Sequence, residues 1–184
     1  MMNAGDEGMI KELLVSGRKD RAFRLLVETF SEPLYWHIRR MLVSHEDTDD
    51  VLQNVFIKAW QSFEQFRWDS KLYTWIYRIA TNEALNFLNE KKRKVFGNSV
   101  EISSALENAL ESSTFLDGNE IELLLQKAIL HLSDRQRLIF NMRYFEDIPY
   151  EDIAACLDVA EGTVKATYHQ AIKKIERELK IYER

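Results

Sequence analysis

Between residues 63 and 78, Phe63, Phe66, Trp68, Tyr73, Trp75 and Tyr77 crowd around Arg67, Lys71 and Arg78. Rings offer faces on which unpaired bases stack, while cations follow a phosphate backbone, so this mixture suits single-stranded nucleic acid. Arg78, Asn82, Asn86, Asn89 and Arg93 follow at intervals of four, four, three and four. That spacing puts them on one face of a helix, where asparagines can meet base edges with paired donor and acceptor. Trp75 and Tyr77 fit a protein core at least as well.

A second constellation lies in the C-terminal third. Pro149 to His169 has the pattern of a helix-turn-helix. A short helix faces inward through Ile153, Ala154 and Leu157, Asp158-Val159-Ala160 makes a tight connection, and a second helix opens near Gly162-Thr163-Val164-Lys165. The second helix of such a unit lies in the major groove and turns its first residues toward base edges. With Val164 and Tyr168 inward, Thr163, Lys165, Ala166, Thr167, His169 and Gln170 point outward. Lys165 suits guanine or phosphate, Gln170 suits adenine, and Lys173, Lys174, Arg177 and Lys180 extend a basic edge toward phosphates. A plain helical hairpin with a solvated face is the competing reading of the same pattern.

Catalytic constellations do not appear. His37, His45, His131 and His169 stand alone, without metal-ligand spacing. No glycine-rich phosphate loop, G-x-S-x-G or H-E-x-x-H is present. The carboxylate pairs Asp49/Asp50 and Glu151/Asp152 fall at helix starts, where they complement the N-terminal dipole. The single cysteine, Cys156, lies beside Ile153 and Leu157 and fills a small gap; it excludes an intramolecular disulfide. The expectation is a protein that is not an enzyme and carries no metal or cofactor.

These residues require helices to position them, and the apolar pattern supplies them. Ala22, Phe23, Leu26 and Phe30 outline a first helix capped by Asp20, after which Ser31 to Pro33 restarts the chain toward Leu34, Ile38, Met41 and Leu42. Glu46 to Asp50 caps a helix carrying Val51, Leu52, Val55, Phe56, Ala59 and Trp60. Leu72, Ile76, Ala80, Ala84 and Leu88 recur every fourth residue in a long helix over about 72–92. Ile121 to Ile129 resumes the helical rhythm, Ser133 and Gln136 form a capping box, and a last helix runs over about 161–182. No strand-like alternation appears. The fold class is all-α: two small helical domains, 1–96 and 122–184, joined by a flexible acidic linker, 97–121.

Charge supports that division. The 184 residues carry 25 Lys and Arg against 30 Asp and Glu, a net charge of −5. Residues 67–98 hold seven basic and three acidic side chains, whereas 99–124 hold six acidic ones and no Lys or Arg. An acidic chain with basic patches suits nucleic-acid binding assisted by another protein. With 46% hydrophobic residues but no long apolar run or basic, apolar leader, the expectation is a soluble cytoplasmic protein without membrane insertion.

Several segments, in order, resemble a known family. Asp50 to Trp60, Phe66-Arg67-Trp68-Asp69-Ser70 and Thr74 to Asn82 resemble region 2 of bacterial sigma factors of the extracytoplasmic-function (ECF) type. Leu132 to Arg137, Tyr144-Phe145, Tyr150 to Ala154 and Gly162 to Lys165 resemble region 4. The resemblance implies that the helix bearing Asp50, Gln53, Asn54 and Phe56 contacts the β′ clamp of core RNA polymerase. It implies that the Phe63–Lys71 loop (Phe63, Phe66, Arg67, Trp68, Asp69, Ser70, Lys71), with Arg78, Asn82 and Asn86, captures the −10 non-template strand of promoter DNA. The helix-turn-helix would read the −35 duplex, and an anti-sigma protein would hold the factor inactive.

The chain departs from that family at defined positions. Asn54 stands for an acidic residue, Trp68 for the glycine of Phe-Arg-Gly-Asp-Ser, and Thr167 and Gln170 for arginines of many members. Pro149 replaces a common serine cap and Asp158 a common turn glycine. A conventional helix-turn-helix regulator acting without core polymerase is the alternative function.

Overall fold

The computed structural model describes residues 4–94 and 120–182, and every regular element among them is helical. In chain order these are α1 (Ala4–Val15), α2 (Lys19–Leu42), α3 (His45–Ser62), a 3-10 turn (Phe63–Gln65) and α4 (Leu72–Lys94). After the acidic segment come α5 (Glu120–Leu130), α6 (Asp134–Tyr144), α7 (Tyr150–Leu157) and α8 (Glu161–Tyr182). The two expected helical units are both present. The linker expected over 97–121 lies outside the described residues except at its end, where α5 begins.

The first unit is held by apolar stripes at helical spacing. Leu26, Phe30, Leu34 and Ile38 of α2 are buried against Val51, Val55 and Ala59 of α3 and against Leu72, Ile76, Ala80, Ala84 and Leu88 of α4. Each large side chain so buried contributes on the order of 1.5–3 kcal/mol. The polar faces remain outside, which leaves Asn82 and Asn86 exposed on α4.

Three local expectations are corrected. The chain does not restart at Ser31–Pro33: α2 is continuous, with Pro33 inside it. Buried Phe30, Leu34 and Ile38 lie on one stripe across the proline, and their burial outweighs the lost backbone hydrogen bond. Asp20 lies in the first turn of α2 rather than at its cap, which is Arg18 and makes no side-chain cap bond. For α3 the cap is Ser44, whose hydroxyl accepts from the Asp47 N–H at 3.2 Å, while Glu46 and Asp47 occupy the first turn. Helix α1 was not anticipated; its Ile10 is fully buried.

In the second unit the Ser133/Gln136 capping box starts α6. Ala128, Ile129, Leu132, Phe140, Ala171 and Ile175 form a small core. Leu138, Ile139, Met142, Ile148, Ile153 and Val164 instead join the core of the first unit. The two units therefore pack face to face.

Candidate nucleic-acid interface

The aromatic segment sorts into core and surface. Phe63 is completely buried, edge-on to Phe23 at 5.6 Å and stacked near Trp75 at 6.0 Å. A ring with no exposed face cannot receive a base, so Phe63 anchors the segment instead of touching a strand. From Trp75 the rings run outward, to Phe66 at 5.1 Å and from Phe66 to Trp68 at 4.8 Å, and both of these are half-buried. Tyr77 is buried and Tyr73 half-buried, and burial pushes both phenols far above their ordinary range, so they stay protonated.

Trp68 has φ 61°, a left-handed conformation that a bulky residue enters only when its surroundings enforce it. Glycine adopts this conformation without cost. The loop therefore keeps a backbone suited to Phe-Arg-Gly-Asp-Ser although tryptophan occupies the turn. Arg67, Asp69, Ser70 and Lys71 are exposed, with Arg67 Nε 3.1 Å from Asp69. Arg78, Asn82 and Asn86 are exposed in a row along α4.

Helices α7 and α8 form the helix-turn-helix. Asp158 ends α7 at φ 54°, and its N–H donates to the Ala154 carbonyl. Val164 is fully buried, and half-buried Tyr168 packs on Phe140 at 6.0 Å and Tyr150 at 5.8 Å. That fixes the exposed face: Thr163, Lys165, Ala166, His169, Gln170 and Lys173 all point to solvent. Thr167 is half-exposed and its hydroxyl donates to the Thr163 carbonyl at 2.8 Å. Lys165 Nζ lies 2.7 Å from Glu161, and Lys174 Nζ donates to the His131 carbonyl at 2.5 Å. On α3, Asp50, Gln53 and Asn54 are exposed, whereas Phe56 is half-buried with its ring edge-on to Phe23 at 6.4 Å.

The seam between the units uses the cations of the first face. Lys71 Nζ donates to Asp152 at 2.8 Å, and that bond raises its pKa. Arg78 donates to the Ala155 carbonyl at 2.5 Å, and Lys92 pairs with Asp134. Deeper in, fully buried His37 has Nδ1 3.1 Å from Glu146 and Nε2 3.0 Å from the Thr81 hydroxyl. Arg40 lies 3.7 Å from the same carboxylate, and burial lowers its pKa. The Cys156 thiol lies 3.7 Å from the Thr74 carbonyl, and burial pushes it up to about 12. A cleft of about 820 Å³, bordered by Glu7, Tyr77, Glu146 and Asp152, opens along this seam. Sequence reasoning missed His37, Glu146 and Asp152, because the partners lie about a hundred residues apart and no local spacing joins them.

Comparison with known proteins places these faces in a family. Residues 26–94 match the model of Sigma-70 region 2, and residues 122–175 match that of Sigma-70, region 4. The ECF RNA polymerase sigma-E factor of Haemophilus influenzae is 30% identical over 182 residues, covering 95% of each chain. The RNA polymerase sigma-H factor of Pseudomonas aeruginosa is 32% identical over 187 residues, covering 97% of this chain and 96% of its own. The chain belongs to the ECF group of the sigma-70 family.

As a sigma factor it acts in transcription initiation. Its fold is shared with CnrH, solved in complex with the cytosolic domain of CnrY, at a TM-score of 0.69 and 19% identity over 96% of this chain and 98% of that one. It is also shared with RpoE of Bartonella quintana, solved with the anti-sigma factor NepR, at 0.65 and 21% over 86% and 97%. The aromatic loop and the Asn82 face fall within region 2, the helix-turn-helix within region 4, and α1 precedes the region 2 match. Among the described residues no helix is long and apolar enough to cross a membrane.

Proposed function

We propose that this sigma factor divides promoter recognition between its two exposed polar faces. The α3 surface of Asp50, Gln53 and Asn54 meets the β′ clamp of core polymerase. Phe66, Trp68 and the Arg78–Asn82–Asn86 row capture the −10 non-template strand, with bases stacking on the rings and asparagines meeting base edges. The outward residues of α8 enter the major groove at −35, and Lys173 follows phosphate. Phe63 and Phe56 support these surfaces from beneath.

The observation that carries this reading is the coexistence of two recognition surfaces of different type in one chain. One combines half-buried rings with exposed cations; the other is a helix-turn-helix with a polar exposed face. A duplex-only regulator needs just the second. Lys71 and Arg78 bond region 4 in the packed arrangement, so the units must separate before both can follow a strand. An anti-sigma protein, as NepR is for RpoE of Bartonella quintana, would act on the same separation. Like other sigma factors, the chain does its work by binding and carries out no catalytic step.

The test is base preference on fork templates already melted at −10, with core polymerase present. Asn82→Ala should change preference in the exposed strand and Lys165→Ala should not. On duplex −35 variants the pattern should reverse, with Lys165→Ala costing about 1–3 kcal/mol if it reads a base. If both substitutions shift preference at the same duplex position, the two-site reading fails.

A further inference from the structure

Helix α1 lies outside the matched region 2, yet two of its side chains reach the loop that enters α4. Glu7 Oε1 accepts the Leu72 N–H at 2.9 Å, which satisfies a backbone donor at the first residue of α4 and fixes where the loop ends. One turn along, Lys11 Nζ sits 5.3 Å from the centre of the Trp68 ring. Ile10, between them in the sequence, is fully buried and anchors the helix.

Trp68 needs such support. Its backbone is left-handed at φ 61°, and its ring has Phe66 at 4.8 Å as its aromatic neighbour. The order of contacts runs from the core outward: Phe63, Trp75, Phe66, Trp68 and then the Lys11 ammonium. An exposed lysine over a half-buried tryptophan, and a carboxylate on the next helix's first amide, hold the loop from its middle and its end.

We infer that α1 is a positioning element for promoter selectivity: Glu7 and Lys11 set the orientation in which Trp68 is presented to the −10 strand. This rests on the reading that the Phe66–Lys71 loop contacts that strand. Neither residue need touch DNA; both act through Trp68 and the start of α4. An exposed lysine over a half-buried ring corresponds to an effect of about two- to five-fold. Selectivity among bases at the affected strand positions should therefore fall by that factor when Lys11 is removed.

The experiment uses the full chain with core polymerase and fork templates carrying each base at every exposed −10 position. Trp68→Gly defines the positions that depend on the ring. Lys11→Ala and Glu7→Ala should reduce selectivity at those same positions, about two- to five-fold for Lys11→Ala. Lys11→Arg, which keeps a cation over the ring, and Glu7→Gln, which keeps an oxygen to accept the Leu72 N–H, should restore it. Lys11→Ala added to Trp68→Gly should change nothing more. A merely structural role would lower melting temperature and leave the selectivity profile unmoved. If Glu7→Ala does not fold, exposed Lys11 carries the test. A shifted profile in Trp68→Gly with a parental profile in Lys11→Ala overturns the inference while leaving the strand-reading loop intact. A parental profile in Trp68→Gly as well overturns the loop's role, and the inference with it.

Discussion

Removing the Glu146 carboxylate should loosen the seam between the two units without unfolding either. Its oxygens lie 3.1 and 3.2 Å from Nδ1 of His37, which is fully buried, and its own side chain is only 9% exposed. Glu146→Ala leaves a ring nitrogen in the interior without its partner, at a cost of about 1–3 kcal/mol. Because the pair spans the units, that cost falls on their association and shifts it about 5- to 150-fold toward the separated form. Cys156 reports the shift. It is the only cysteine, it is 2% exposed, and its sulfur rests at 3.7 Å from the Thr74 carbonyl across the seam. Burial pushes its pKa up to about 12, so at neutral pH the thiolate is far scarcer than in an open thiol. Labelling by a thiol reagent then requires opening, and its rate should rise about 5- to 150-fold in Glu146→Ala, with circular dichroism unchanged. The sign with pH follows. A thiol whose pKa is raised by packing favours the packed form below its ordinary value near 8.5, and that contribution is lost as pH climbs toward 12. Parental labelling kinetics in Glu146→Ala would refute the seam as the lock on Cys156.

Three further outcomes follow from the same geometry. Phe63→Ala removes a fully buried ring and should cost about 3–5 kcal/mol, read as lowered melting temperature, whereas Phe66→Ala should weaken capture of the −10 strand at a smaller stability cost. Asp50→Ala with Gln53→Ala, both exposed on α3, should weaken core polymerase binding in a pull-down while helicity stays intact. Ser133→Ala should lose the capping box of α6 and about 0.5–2 kcal/mol, measured by denaturant midpoint.

What was legible in the sequence was what is local. The four-residue rhythm from Leu72 to Leu88, the Ser133/Gln136 box and the Pro149–Glu161 punctuation depend on neighbours within a few positions, and the structure shows all three. Helix α1 was not legible, because Gly5 and Gly8 weaken the helical signal and its burial comes from α2 packed beside it. Continuity through Pro33 was hidden for a related reason, since the breaker signal is local and the opposing burial is tertiary. Phe63 shares its residue type and neighbourhood with Phe66, and both lie near Trp75; the packing of Phe23 against Phe63 is what separates core from surface. Of the site, the exposed faces of α4 and α8 were readable from spacing. The His37–Glu146 and Lys71–Asp152 pairs were not, since they join residues 109 and 81 positions apart.

The central claim is that this chain gives core polymerase its choice of promoter. Run-off transcription from a library of genomic promoters, with purified core polymerase and with or without this protein, tests it most directly. The account predicts initiation at a discrete set of sites only when the protein is present, and weak binding to those same duplexes when core polymerase is left out. Tight duplex binding by the protein alone, with no added initiation from core polymerase, would contradict it.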